Sequence, residues 1–115
     1  MSREGVPIIT LQIAQQILEA IVDTGFNGDV ELPESLRLDI DAIPIGVVQS
    51  NLAAGRVVEE DCFLVTLEFD GERRQVEATF APVDKVLVGT GLLAGHRLEV
   101  DFPAGSVSLS RPATG

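Results

Sequence analysis

The sequence predicts an all-β fold with a closed or sandwiched sheet, and three observations carry that prediction. Apolar and polar residues alternate at a period of two over most of the chain, the signature of strands with one buried face. Asp-Gly and Pro-Ala-Gly clusters punctuate the alternation as hairpin turns do. Helical periodicity is confined to two short segments, which leaves helix little room.

In chain order, the apolar run Ala20-Ile21-Val22 reads as a strand. Pro33-Glu34-Ser35-Leu36-Arg37-Leu38 reads as one helical turn, because proline is tolerated at the first helical position. Over residues 63–69 the odd positions Phe63, Val65, Leu67 and Phe69 are apolar, and Leu64 is the only apolar even one. Asp70-Gly71 supplies the positive φ of a tight turn. The apolar set then moves to Val76, Ala78 and Phe80, between Arg73, Gln75, Glu77 and Thr79, which makes a long antiparallel hairpin with one buried face. Thr90-Gly91-Leu92-Leu93-Ala94-Gly95 is a second short helix with Gly95 as its stop. Leu98, Val100 and Phe102 then alternate with Arg97, Glu99 and Asp101. Pro103-Ala104-Gly105 turns the chain, and Val107 and Leu109 alternate with serines.

The chain has 115 residues, the size of one domain, expected to span 1–115 with frayed ends. Eight Lys and Arg against 18 Asp and Glu leave a net charge of −10. That balance excludes a nucleic-acid partner, whose phosphates reward clustered positive charge, and docking on an anionic membrane. A hydrophobic content of 45% excludes disorder of the low-hydropathy kind. No apolar run is long enough to span a membrane. Cys62 is the only cysteine, so no internal disulfide forms. The first residues, Met1-Ser2-Arg3-Glu4-Gly5, lack the apolar core of a signal peptide, and a cytoplasmic location is expected.

Residues 17–25 read Ile-Leu-Glu-Ala-Ile-Val-Asp-Thr-Gly. A carboxylate directly after an apolar strand is costly to bury, although Asp-Thr-Gly alone is also an ordinary strand-ending turn. Downstream stands Val86-Leu87-Val88-Gly89-Thr90-Gly91-Leu92-Leu93, an apolar-apolar-Gly element leading into a short helix. Together the two segments resemble the retropepsin-like (clan AA) aspartic proteases. The likeness is nearest to their small prokaryotic branch, in which Phe follows the triplet, as in Val22-Asp23-Thr24-Gly25-Phe26-Asn27-Gly28. Leu32-Pro33 and Leu92-Leu93-Ala94-Gly95-His96-Arg97-Leu98 continue the likeness, which covers about residues 6–110.

The resemblance implies a closed β-barrel forming one Asp-Thr-Gly lobe, a short helix near residues 90–95 and a two-fold homodimer. It implies an aspartic endopeptidase acting on peptide or protein substrates without a cofactor or metal. In that chemistry two carboxylates share one proton across a water, one as general base and one polarising the scissile carbonyl. The sequence holds a single Asp-Thr-Gly, so a competent site needs a second copy, which an isologous interface supplies. By the same resemblance Asp23 is the catalytic carboxylate and Thr24 locks the two active-site loops across the axis. Gly25 admits the substrate backbone, and Gly89 lies in the element that buttresses the Asp loop. Phe26 and Asn27 of the loop, and Leu52, Ala53, Ala54 and Gly55 of a flap hairpin over residues 49–57, are the implied substrate contacts. At Ala54 the family often has Asp, and at Gly91 Asp or Asn. These two departures keep open an alternative, a dimeric module that binds peptide or protein without cutting.

Other signals are set aside. Gly89-Thr90-Gly91 with Gly95 lacks the βαβ unit of a dinucleotide site, since two alternating strands follow it. Glu59-Glu60-Asp61 reads as a solvated charge run, because adjacent strand carboxylates point to opposite faces and no spaced calcium loop surrounds them. His96, the only histidine, excludes a multi-histidine zinc site and is expected to be structural. No Gly-x-Ser-x-Gly elbow accompanies it. Cys62 is expected to be a small core residue.

Overall fold

The computed structural model describes residues 5–51 and 53–111. The strands are β1 (Ile8–Ile13), β2 (Gln16–Val22), β3 (Val30–Pro33), β4 (Ile43–Asn51), β5 (Val57–Phe69), β6 (Glu72–Ala81), β7 (Val86–Val88), β8 (Arg97–Asp101) and β9 (Ser106–Ser110). One α-helical turn, α1 (Thr90–Leu93), and two 3₁₀ turns, Glu34–Asp39 and Ala53–Gly55, complete the chain. Seven strands form one sheet in the order β1-β2-β7-β3-β6-β5-β4. A further pairing of β1 with β5, through Gln12 with Glu68 and Ile13 with Leu67, closes six of them into a ring. β4 is left outside the ring as an arm on β5, and β8 and β9 form a separate hairpin.

Alternation decides which side chains fill the ring. Leu11 and Ile13 of β1, Ala20 and Val22 of β2, Val30 and Leu32 of β3, and Val86 and Val88 of β7 all point inward. Val65, Leu67 and Phe69 of β5 and Val76 and Ala78 of β6 meet them, and Leu92 of α1 plugs one end. Leu98, Val107 and Leu109 carry the β8–β9 hairpin against this core. No helix among the described residues is long and apolar enough to cross a membrane.

The hairpin at Asp70-Gly71 has the expected form, with Phe69 paired to Glu72 and both turn residues at positive φ, 52° and 76°. The 3₁₀ turn after β3 begins one residue later than the sequence suggests. Pro33 is the last residue of β3, paired with Ala81 and held extended at ψ 135°, and the turn runs Glu34–Asp39. A proline φ of −58° suits strand and helix alike, and the parallel pairing with β6 decides between them. His96 is structural: its side chain is 7% exposed, Nε2 lies 3.4 Å from Asp70 Oδ2, and the ring leans on Phe69 at 5.1 Å.

The β1–β2 hairpin carries no glycine at its turn. Ala14 and Gln15 lie at φ 51° and 67°, a left-handed pair that side chains other than Asn and Gly adopt at a cost. The long β1–β2 ladder, from Ile8–Ile21 to Ile13–Gln16, imposes that conformation. Replacing the pair by Asn-Gly (Ala14→Asn with Gln15→Gly) is expected to stabilise the fold by about 1 kcal/mol. Urea denaturation checks it, as a higher midpoint at an unchanged slope.

Candidate active site

β2 and β7 run parallel and in register, with Val22 beside Val88, so their following residues Asp23 and Gly89 leave the sheet together. The Asp23 amide donates to Val88 O at 2.9 Å, which fixes the point of exit. Asp23 then folds back on itself. Its Oδ1 accepts the Gly25 amide at 2.9 Å, and its main-chain carbonyl accepts the Phe26 amide at 3.1 Å. Among the described residues no hydrogen bond reaches Oδ2. Gly25 stands close to the same carboxylate, since a Cβ there would lie 3.3 Å from Oδ1.

The loop that follows is stitched to the start of α1. The first amides of a helix have no partner within it and must find acceptors elsewhere. Here Gly89 N donates to Asp29 O at 3.0 Å, Thr90 N to Phe26 O at 2.8 Å and Gly91 N to Gly28 O at 3.1 Å. The Thr90 hydroxyl adds a 3.4 Å bond to Phe26 O. Two of these carbonyls lie so close that Gly89 has no room for a side chain: a Cβ would strike Gly28 O, Phe26 O and the Phe26 ring. The Phe26 ring also covers Gly28, leaving no space for a Cβ there.

Asp29 was not singled out in the sequence, yet its carboxylate ties the loop to the sheet. Oδ2 accepts the Glu77 amide of β6 at 2.9 Å, and Oδ1 occupies the place a Cβ at Gly91 would need. Gly91 therefore makes room for a carboxylate arriving from the loop that follows Asp23.

Asp23 opens onto a cleft of about 690 Å³ on the outer face of β3, β6 and β7. Gly25, Phe26 and Asn27 line it beside Asp23, whereas Thr24 lies exposed outside it, and Gly89 lies beneath the loop. The arm of β4 and the start of β5 stand over the cleft and contribute Gln49, Glu60 and Cys62. The turn of that hairpin, Ala53–Gly55, has Ala54 and Gly55 at φ 66° and 72°, and neither of these two lines the cleft. Leu52 lies outside the described residues.

The remaining cleft residues follow from alternation. Glu31 lies between inward-facing Val30 and Leu32, and Glu77 between Val76 and Ala78, so both carboxylates face outward into the cleft. Glu60 corrects the reading of Glu59-Glu60-Asp61 as wholly solvated: its neighbours are exposed, but Glu60 is half-buried and faces the cleft. Among the described residues no Lys, Arg or His lines the cleft, and no salt bridge reaches its carboxylates. Burial pushes the Glu31 carboxyl above the ordinary glutamate value, and the charges of Glu60 and then Asp23 push it further. Burial likewise raises the Cys62 thiol, with the Glu77 charge next among the causes that raise it, so this cysteine is a poor nucleophile. No group of three or more His, Cys, Asp or Glu among the described residues is placed to hold a metal ion.

Comparison with known structures places the fold. No family model matches the chain, and no curated protein matches it. Solved structures do. The protease of simian foamy virus (mac) superposes with a TM-score of 0.60 at 21% identity, over 76% of this chain and 91% of that one. The EIAV protease complexed with the inhibitor HBY-793 gives 0.62 at 18% identity, over 81% and 89%. The foamy viral protease-reverse transcriptase in complex with an RNA/DNA hybrid gives 0.63 at 20% identity, over 84% of this chain and 13% of that one. The fold is thus a retropepsin-like β-barrel.

Two expectations test the site's construction. Gly89→Ala is expected to destabilise the fold by roughly 3 kcal/mol, because the rigid carbonyls around it cannot yield, and thermal unfolding measures this. Glu31→Gln is expected to stabilise it at neutral pH. The folded state holds the Glu31 proton more tightly than the unfolded state, so stability is lost as pH rises through the interval above the usual glutamate range. The gain from glutamine is therefore complete at pH 7–8 and absent below that range, which unfolding midpoints across pH 3–8 check.

Proposed function

We propose that this chain, as one domain over 1–115, is a cytoplasmic aspartic endopeptidase that works as a two-fold homodimer. The observation that carries this reading is the Asp23 carboxylate, oriented through Oδ1 by the Gly25 amide at the lip of a cleft on a retropepsin-like barrel. Among the described residues nothing bonds its Oδ2, which is available to a water and to the partner subunit's Asp23. Two carboxylates brought together do not both ionise, so the pair holds one proton and titrates as a unit. The ionised member takes a proton from water as its oxygen adds to the peptide carbonyl carbon. The protonated member gives its hydrogen bond to the developing oxyanion. Collapse of the tetrahedral adduct breaks the C–N bond, with a proton passing to the leaving nitrogen, and the shared proton is restored to the pair.

The other parts take their roles around this step. Thr24, exposed and without a hydrogen bond among the described residues, bonds the partner's loop across the axis. Gly25 lets a peptide backbone lie against the carboxylate. Phe26 and Asn27 border the bound peptide, and the hairpin carrying Leu52, Ala53, Ala54 and Gly55 closes over it, as lids do to exclude water. A second reading, a dimeric module that binds peptide without cutting, is favoured by the hairpin tip, where Ala54 has no polar side chain to engage a substrate.

Asp23→Asn is expected to lower cleavage of unfolded or peptide substrates by at least about a thousandfold while the dimer persists. Digests of a peptide library, followed by mass spectrometry, measure the first, and light scattering measures the second. Undiminished cleavage by the variant overturns the assignment of Asp23. Peptide binding by the wild-type chain without any product transfers the protein to the second reading.

A further inference from the structure

We propose that the cleft selects peptides by a lysine or arginine side chain, seated with its aliphatic stem on Leu87 and Thr79 and its charged head between Glu31 and Glu60. The proposal rests on the cleft being the peptide-binding site, and it adds the chemical class of the residue recognised.

The cleft has two chemically distinct parts. Leu87 and the methyl group of Thr79, which flank Glu31 in the sheet, give it an apolar floor, and Glu31, Glu60 and Glu77 stand along it as carboxylates from three different strands. A long basic side chain has the matching division, since lysine and arginine lay their methylenes on apolar surface and keep the charge at a polar edge. Register places Glu31 of β3 directly beside Leu87 of β7 on one side and Thr79 of β6 on the other. Glu60 comes from above, on the part of β5 that pairs with the β4 arm, opposite Val48. A side chain entering from beside Asp23 therefore meets carboxylates both below and above.

Nothing within the described chain balances these charges. Asp29 is occupied, its Oδ2 taken by the Glu77 amide. Among the described residues the salt bridges, those of Arg97, Arg111 and His96, lie around Glu99, Asp70 and Glu72, away from the cleft. The raised Glu31 carboxyl is the energetic trace of this crowding, with Glu60 and Asp23 among its causes. A cation from outside relieves desolvation and repulsion at once, whereas an acidic side chain in the same place adds to both. Complementarity of this kind sets specificity as a difference between partners.

The test uses matched peptides that carry Lys, Arg, norleucine or Glu at each position in turn across a scanned sequence. Their binding to the Asp23→Asn variant is read by fluorescence anisotropy, and their cleavage by the wild-type chain as kcat/KM. At one position Lys and Arg are expected to exceed norleucine about tenfold or more, with Glu weakest. In the double variant Glu31→Gln with Glu60→Gln that ratio is expected to fall to near one, and in Glu60→Lys the order is expected to reverse toward Glu. Equal binding and cleavage of Lys and norleucine peptides at every position overturns the selection and leaves the peptidase reading standing. Lysine-selective binding without cleavage by the wild-type chain upholds the selection and overturns the peptidase reading. Failure of all the peptides to bind overturns both.

Discussion

The in-register parallel pairing of β2 with β7 is the constraint on which the site depends. Neither strand is long: β7 has three residues, and its ladder to β2 runs only from Ala20–Val86 to Val22–Val88. It nonetheless fixes which residues leave the sheet side by side. The Asp loop then finds its hydrogen-bond partners in the first turn of α1, and that turn finds acceptors for amides no helix can satisfy internally. Each segment completes the other, so the carboxylate is held by main-chain bonds rather than by side chains free to change rotamer. The absence of side chains at Gly28, Gly89 and Gly91 is a condition of this mutual fit, because Phe26, the loop carbonyls and Asp29 already fill the space.

Asp29 joins the two halves of the site through both of its carboxylate oxygens. Asp29 Oδ1 stands where a side chain at Gly91 would begin. Through Oδ2 Asp29 bonds the Glu77 amide and joins the Asp loop to β6. β6 pairs with both β3 and β5, so the tether reaches the two strands that supply Glu31 and Glu60 to the cleft.

Much of the barrel was legible because period-two alternation reports burial directly. The register of the β5–β6 hairpin was readable from the shift of apolar residues between odd and even positions across Asp70-Gly71. The β1–β2 hairpin left no such punctuation, since Ala14 and Gln15 take a conformation their side chains do not advertise and only the ladder enforces. Ring closure was beyond local reading as well, because β1 meets β5 through two residue pairs separated by about half of the chain. At the site, Asp23 and Gly89 stood out by motif. Asp29, Glu31, Glu60 and Glu77 did not, because an outward-facing acid on a strand reads as solvated until the topology shows what it faces. Glu60 differs from Glu59 and Asp61 only in which side of β5 it occupies.

The net charge of −10 acquires a location through that topology. In the sequence it served only to exclude partners rich in phosphate. In the fold, Asp23, Asp29, Glu31, Glu60 and Glu77 gather on one face, while His96 and Arg111 pair with Asp70 and Glu72 at the turn of the β5–β6 hairpin. Stability alone would favour the opposite arrangement, because half-burying Glu31 near two like charges costs free energy that a single arginine could recover. A local rule broken in a cleft, with no compensation inside the chain, is what a site that obtains its counter-charge from a ligand requires.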